Sequence, residues 1–278
     1  MSTNDQSNRT RTQSENPITN PTEPRKHSFE ELQELTPNET KSDQRARVLD
    51  IFSGAGGVGW ALKDILNTPK TDGTFIGVDI NDHTETYPSE FIQADAASLT
   101  LESLGLDHKV DLVWLSPPCQ AYSKLSHIHY DDPKEHHQTF DELNVHKLAQ
   151  SLGKEYVIEN VVGCNDLNNP IKLNGVAFNR NFIFERWFET SFNVNSWIEE
   201  PTGNEKRFCN MGTKEMALEK GIPTHWSKSA IRSALPKEYI GYIISHCPTL
   251  SDITPYNITD LYREQGAGDG QTWIDEFY

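Results

Sequence analysis

Pro117 and Pro118 close the apolar run Val110–Leu115 and put Cys119 directly after them. Each proline fixes φ and removes a backbone donor, so no regular ladder continues through this point. The residue before each proline is pushed to extended geometry. A strand that stops so abruptly presents the next residues on a stiff turn at its end. Cys119 is therefore predicted to lie at a strand end, where an α/β enzyme would hold a nucleophile. The structural alternative is a packed cysteine beside a proline turn.

Similar punctuation recurs along the chain. Val48–Phe52 is an apolar run that breaks into Ser53, Gly54, Ala55, Gly56 and Gly57, with helix-like spacing from there to about Asn67. Thr74–Asp79 reads as a second strand, Phe91–Gln93 as a third, Val110–Leu115 as a fourth and Glu155–Glu159 as a fifth. Phe140–Leu152 has helical spacing. Strands alternating with helices predict an α/β fold, a Rossmann-like doubly wound, mostly parallel sheet. The alternating aromatic stretch Asn181–Phe192 predicts a strand pair beside it. Ser227 can cap one helix, and Pro236 suits the first turn of another running to about Cys247.

Three regions follow from composition. Residues 1–46 are polar and nearly free of large apolar side chains, so they read as a disordered tail, with a short helix over Ser28–Leu35 as the exception. Residues 47–248 form the expected catalytic domain, of a size that needs no disulfide support. Residues 249–278 read as an acidic tail in which Arg263 is the one basic residue. No apolar run approaches a membrane span or a signal-peptide core, so a cytoplasmic protein without membrane association is expected. Cys119, Cys164, Cys209 and Cys247 form no C-x-x-C pair, which fits free thiols in a reducing compartment. The formal charge of −16 excludes nucleic-acid binding by bulk charge, so any basic surface must be local.

The candidate chemistry gathers at the strand ends. Glycines between a strand and a helix let the backbone approach a ligand and present helix-start amides; a tight βα turn is the plain alternative. Asp79, ending the second strand, is placed to hold ribose hydroxyls, which does not separate a nicotinamide from an adenosyl ligand. Asp95 follows the third strand, either at an adenine edge or as a solvated loop acid. Glu159 ends an apolar strand on the same rim; burial would protonate it and make it an acid, whereas a helix cap is the alternative. His127, His129, His136, His137 and His146 lack structural-zinc spacing, so no metal is expected.

Together these segments resemble the DNA cytosine-5 methyltransferase family. Asp50–Gly59 resembles its glycine-rich first motif, Pro118-Cys119-Gln120 its nucleophile motif, and Glu159-Asn160-Val161 its Glu-Asn-Val motif, in the same order and spacing. Leu173–Thr190 looks like the arginine motif in the shortened form of phage-type members. Arg186 maps onto the base-contacting arginine, with Arg180 as the other candidate, and Phe184 stands where the family has a preceding arginine. Ala234–Gly241 resembles the closing helix. The likeness spans roughly residues 47–246. It departs from the family between the last two motifs, where only residues 193–225 remain for target recognition. That reduced segment, with Trp197, Lys206, Arg207 and Phe208, is expected to reach a groove.

The resemblance implies methyl transfer from S-adenosylmethionine to carbon 5 of cytosine in double-stranded DNA, on an extruded base and by a monomer, as in restriction–modification systems. Cys119 would attack carbon 6, Glu159 would donate to ring nitrogen 3, and Arg186 would hold the exocyclic oxygen. Phe52, Gly54, Gly56, Gly57, Asp79, Asp95 and Pro117 would line the cofactor pocket. The histidine-rich stretch would be a mobile loop closing over the base. Three alternatives stand beside this reading: an RNA cytosine-5 methyltransferase on the same fold, a catalytically silent DNA-binding regulator, and a nicotinamide-dependent dehydrogenase.

Overall fold

The computed structural model describes residues 47–66, 75–178 and 180–251. The expectations for the two tails, including the short helix over Ser28–Leu35, lie outside these residues apart from residues 249–251. Nine strands are described: β1 (Val48–Ile51), β2 (Phe75–Asp79), β3 (Glu90–Gln93), β4 (Val110–Leu115), β5 (Gly153–Asn160), β6 (Ile171–Leu173), β7 (Phe182–Ile183), β8 (Arg186–Thr190) and β9 (Lys206–Arg207). Five α-helices accompany them: α1 (Gly57–Ile65), α2 (Val145–Leu152), α3 (Thr213–Lys220), α4 (Lys228–Ser233) and α5 (Lys237–Ile244).

The main sheet has seven strands in the order β3-β2-β1-β4-β5-β8-β6. The first five are parallel to one another, and β8 runs antiparallel to both β5 and β6. This is the doubly wound, mostly parallel α/β sheet predicted from the alternation of strands and helices. Its central strands β1, β2 and β4 are covered on both faces, so they read as near-continuous apolar runs. In β1, Val48 packs with α1 on one face, while Leu49 and Ile51 pack with α2 on the other. In β4, Leu112 and Trp114 face the first side, Val113 and Leu115 the second. Full burial of such a side chain stabilises by about 1.5–3 kcal/mol, and every residue of β4 is buried.

The polar exception in β4 is Asp111. Its carboxylate accepts from Lys154 Nζ at 2.7 Å and pairs with Arg47. Burial alone would raise this carboxyl; the two cations outweigh burial and hold it below the usual range.

Several local expectations are corrected. The helix predicted from Phe140 begins at Val145, because Asn144 adopts a left-handed φ of 52° and caps a series of turns. Asn181–Phe192 is not a strand pair: β8 joins the main sheet, and β7 pairs with the distant β9. Alternation identified the extended segments but carried no information about their partners. Pro236 caps α5 rather than entering its first turn, and that helix ends at Ile244.

Order reversal between β1 and β4 defines the functional rim. Chain leaving β1 turns toward one side and chain leaving β4 toward the other, which opens a crevice at their C-terminal ends. Ser116 N–H donates to Ile51 O at 3.1 Å, so the two strand ends lie together. The glycine-rich turn and the proline-flanked cysteine are thereby brought side by side.

Candidate active site

The glycine turn is shaped by sterics. Gly56 caps α1 at φ 96°, and a Cβ there would meet the Tyr87 ring at 3.0 Å and Pro88 at 3.1 Å. Gly54 has φ +51° and open space where a Cβ would sit. Phe52, half-buried, also adopts a positive φ of 59°, a conformation that an aromatic residue adopts rarely. Asp79 braces the turn: its Oδ2 accepts from Gly54 N–H at 3.0 Å, and its Oδ1 accepts from Asn81 N–H at 2.9 Å. Oδ1 also accepts from Asn81 Nδ2 at 3.3 Å, so further acceptor capacity for a ligand hydroxyl lies on Oδ2. Ile80, immediately after it, is 63% exposed and offers an apolar face at the rim.

Asp95 is exposed and capping: its Oδ1 accepts from Ala97 N–H at 3.0 Å. The Ala94 N–H to Asp79 O bond, 2.9 Å, brings this strand end beside Asp79. Beneath the turn, Tyr87 O–H donates to the fully buried Asp50 at 3.1 Å. Burial pushes the Asp50 carboxyl up to about 8, against the hydrogen bonds from Tyr87 and the Gly59 backbone.

The second half of the rim carries the candidate reactive groups. Pro117 is buried, and its carbonyl accepts from Asn160 Nδ2 at 3.1 Å, which ties the proline turn to the end of β5. Cys119 is half-buried. Burial pushes its thiol above the ordinary range and the neighbouring Glu159 pushes it further, while Arg186 opposes both. Glu159 is 7% exposed, and Arg186 Nε lies 3.0 Å from its Oε1. Burial raises this carboxyl despite the opposing pull of Arg186, a hydrogen bond from Ser116 and the charge of Lys220. Ser116 is itself held by Trp114 Nε1 at 3.1 Å.

Arg186 thus sits against Glu159, whereas Arg180 pairs with Glu238 on α5. The Arg186 guanidinium also lies 4.0 Å over the Phe184 ring. Two residues of the short recognition segment turn inward instead of toward a groove. Trp197 packs on Phe178 and Tyr242, and Phe208 packs on Phe184. Lys206 and Arg207 remain exposed. Both rings are half-buried against the core, and the charged pair between them in sequence stays at the surface.

The histidines disperse. His136 stacks on Tyr130 at 4.3 Å, while His146 lies 3.0 Å from Glu189 in a separate network. Among the described residues no cluster of three His, Cys, Asp or Glu side chains could hold a metal. Nor is any helix long and apolar enough to cross a membrane.

Sequence reasoning assigned no role to Ser116, Tyr87 or Lys220. The signal for Lys220 was faint: it shares a helical face with buried Met216 and Ala217, where an apolar residue is the norm.

No family model and no curated protein matches the chain. Solved structures do. The Entamoeba histolytica methyltransferase EhMeth matches with a TM-score of 0.51 and 12% identity, covering 75% of this chain and 99% of that one. A protein described as a DNA modification methyltransferase encoded within an E. coli prophage matches with a TM-score of 0.39 and 18% identity, covering 62% of this chain and 54% of that one. A variant of Spodoptera frugiperda DNMT2 matches with a TM-score of 0.38 and 18% identity, covering 58% of this chain and 57% of that one. The chain therefore spans little more than half the length of the last two. The likeness to EhMeth is one of fold. This chain shares a Rossmann-like, mostly parallel seven-stranded architecture with that protein.

Proposed function

We propose that the protein transfers a methyl group from S-adenosylmethionine to carbon 5 of cytosine in double-stranded DNA, through a covalent bond to Cys119. The observation that carries this reading is the meeting of Cys119, Glu159 and Arg186 on one rim, beside a glycine turn shaped for a ligand.

The turn fits an adenosyl cofactor. Gly54 leaves open space where a side chain would stand, and Ser53 Oγ is buried with no hydrogen-bond partner among the described residues. Asp79 Oδ2 offers an acceptor for a ribose hydroxyl, the Ile80 face and Phe52 offer apolar contact, and Asp95, Gly56, Gly57 and Pro117 would complete the pocket. When bound, S-adenosylmethionine supplies an electrophilic methyl group.

The side chains divide the remaining work. Carbon 6 of a stacked base is shielded, so the target is taken out of the helix. The Cys119 thiolate adds to carbon 6, and this bond makes carbon 5 nucleophilic. Glu159, protonated, donates to ring nitrogen 3 as negative charge develops there. Arg186 holds the exocyclic oxygen in the plane of the ring. Loss of the carbon 5 proton and departure of Cys119 then restore the thiolate and release the methylated base.

The test is incubation of the full chain with labelled cofactor and either duplex DNA or tRNA. Label should enter cytosine of the duplex, and 5-fluorocytosine DNA should trap the protein covalently. Full activity of Cys119→Ser would overturn the covalent route. Label entering tRNA alone would replace DNA with RNA as substrate.

A further inference from the structure

Lys220 is the last residue of α3 and is completely buried. Its Nζ donates to the carbonyls of Ile231 at 2.9 Å and Arg232 at 3.1 Å, and also to that of Ala234. Three carbonyl acceptors require three N–H donors, which only the ammonium form provides. These carbonyls belong to the C-terminal end of α4 and its cap, where the helix dipole favours a cation. Above the ammonium lie two aromatic faces, Phe184 and Phe208, each with its centroid 4.1 Å away. A desolvated cation on such faces is held strongly.

The Phe184 ring is shared. Lys220 contacts it, Arg186 lies over it at 4.0 Å, and the Phe184 carbonyl accepts from Tyr239 O–H. Burial and then the Arg186 charge push Lys220 well below the ordinary lysine range, and Glu159 opposes them; the three carbonyls and two rings are what keep the proton on Nζ. Two cations thus contact one ring, and one of them, Arg186, also pairs with Glu159.

We infer that Lys220 is a positioning residue: its buried ammonium fixes the Phe184 ring, and that ring fixes the Arg186 guanidinium against Glu159. The inference rests on the reading of Cys119, Glu159 and Arg186 as the reacting cluster. It gives the short recognition segment a second task, since α3 carries the lysine that orders the base-holding arginine. The link also reaches the cofactor turn, because the Ala234 side chain packs so closely on Gly57 that a Cβ there would lie 2.9 Å away.

The experiment follows the thiol rather than turnover. Carbamidomethylation of Cys119 by iodoacetamide is measured by peptide mass spectrometry against pH, on the full chain, for wild type, Lys220→Met, Phe184→Leu and the double variant. Thermal melting and methyl transfer are recorded alongside. Arg186 favours the thiolate, so an unclamped Arg186 should slow alkylation about fivefold at pH 8 and move its midpoint upward. The double variant should go no further than the worse single variant. In methyl transfer, kcat should fall with little change in KM for the cofactor. An alkylation profile that stays in place while melting temperature falls would make Lys220 merely structural and overturn the inference. If Lys220→Met does not fold, Phe184→Leu decides alone, and an unshifted profile overturns it. Absence of methyl transfer by the wild type would overturn the proposed reaction and leave the thiol profile readable.

Discussion

Arg186 Nε and Glu159 Oε1 lie 3.0 Å apart, although the two residues come from strands of opposite direction. The parallel strand β5 delivers its C-terminal end to the rim. Antiparallel β8 delivers its first residue to that same rim. A parallel β8 would have brought Thr190 there and carried the arginine to the far edge.

This pairing sets opposite effects on the thiol. Glu159 raises the Cys119 pKa and Arg186 lowers it. Glu159→Gln should therefore shift iodoacetamide alkylation of Cys119 to lower pH, and Arg186→Met should shift it to higher pH. Both should lower methyl transfer, the first by about 100-fold or more, the usual range for a lost general acid. A common direction for the two alkylation shifts would contradict the arrangement.

Wild-type kcat/KM should follow a broad bell. The reacting form holds one proton between Glu159 and Cys119, both of which sit above their ordinary values. Below the raised Glu159 value both groups are protonated and no thiolate is left. Above the raised Cys119 value both are deprotonated and no acid is left. Activity should stay flat between these limits, and a peak confined to acidic pH would refute the scheme.

Asp50 makes stability depend on pH. Its folded-state pKa of about 8 lies above the unfolded value near 3.8, so the folded state binds the extra proton between them. The contribution is complete below the unfolded pKa and is lost as pH rises through about 8. Asp50→Asn keeps the shape and an acceptor for Tyr87. Its melting temperature should exceed that of wild type at pH 8, and the gap should close toward pH 4. Equal melting curves at both pH values would show that Asp50 bears no such cost.

Gly77 is a steric requirement. A Cβ there would lie 2.5 Å from the Tyr87 ring, which also covers Gly59 at 2.7 Å. Gly77→Ala should cost about 1–3 kcal/mol in chemical denaturation, the usual range for overpacking. It should also weaken cofactor binding in calorimetry, since Tyr87 walls the Gly56 turn. Unchanged stability would mean that the ring moves freely.

The parallel core and half of the candidate site were legible in the order of the residues alone. Runs such as Val110–Leu115, cut by proline or glycine, mark strands buried on both faces. Once those strands are parallel, their C-terminal residues share a rim, which is why Cys119, Glu159 and Asp79 were legible as candidates on one edge of the sheet. Tertiary structure alone decided the rest. A three-residue strand such as β6 is too short to show a period, and the direction of β8 depends on its partners β5 and β6. Alternation fixes which face a side chain takes, but not which strand lies beside it. Arg186 therefore became the partner of Glu159, and Arg180 that of Glu238, only through pairing and packing. Lys220 was hidden for the same reason. A buried ammonium is tolerable where three carbonyls and two rings converge, and those come from residues 184, 208 and 231–234, far apart in the chain.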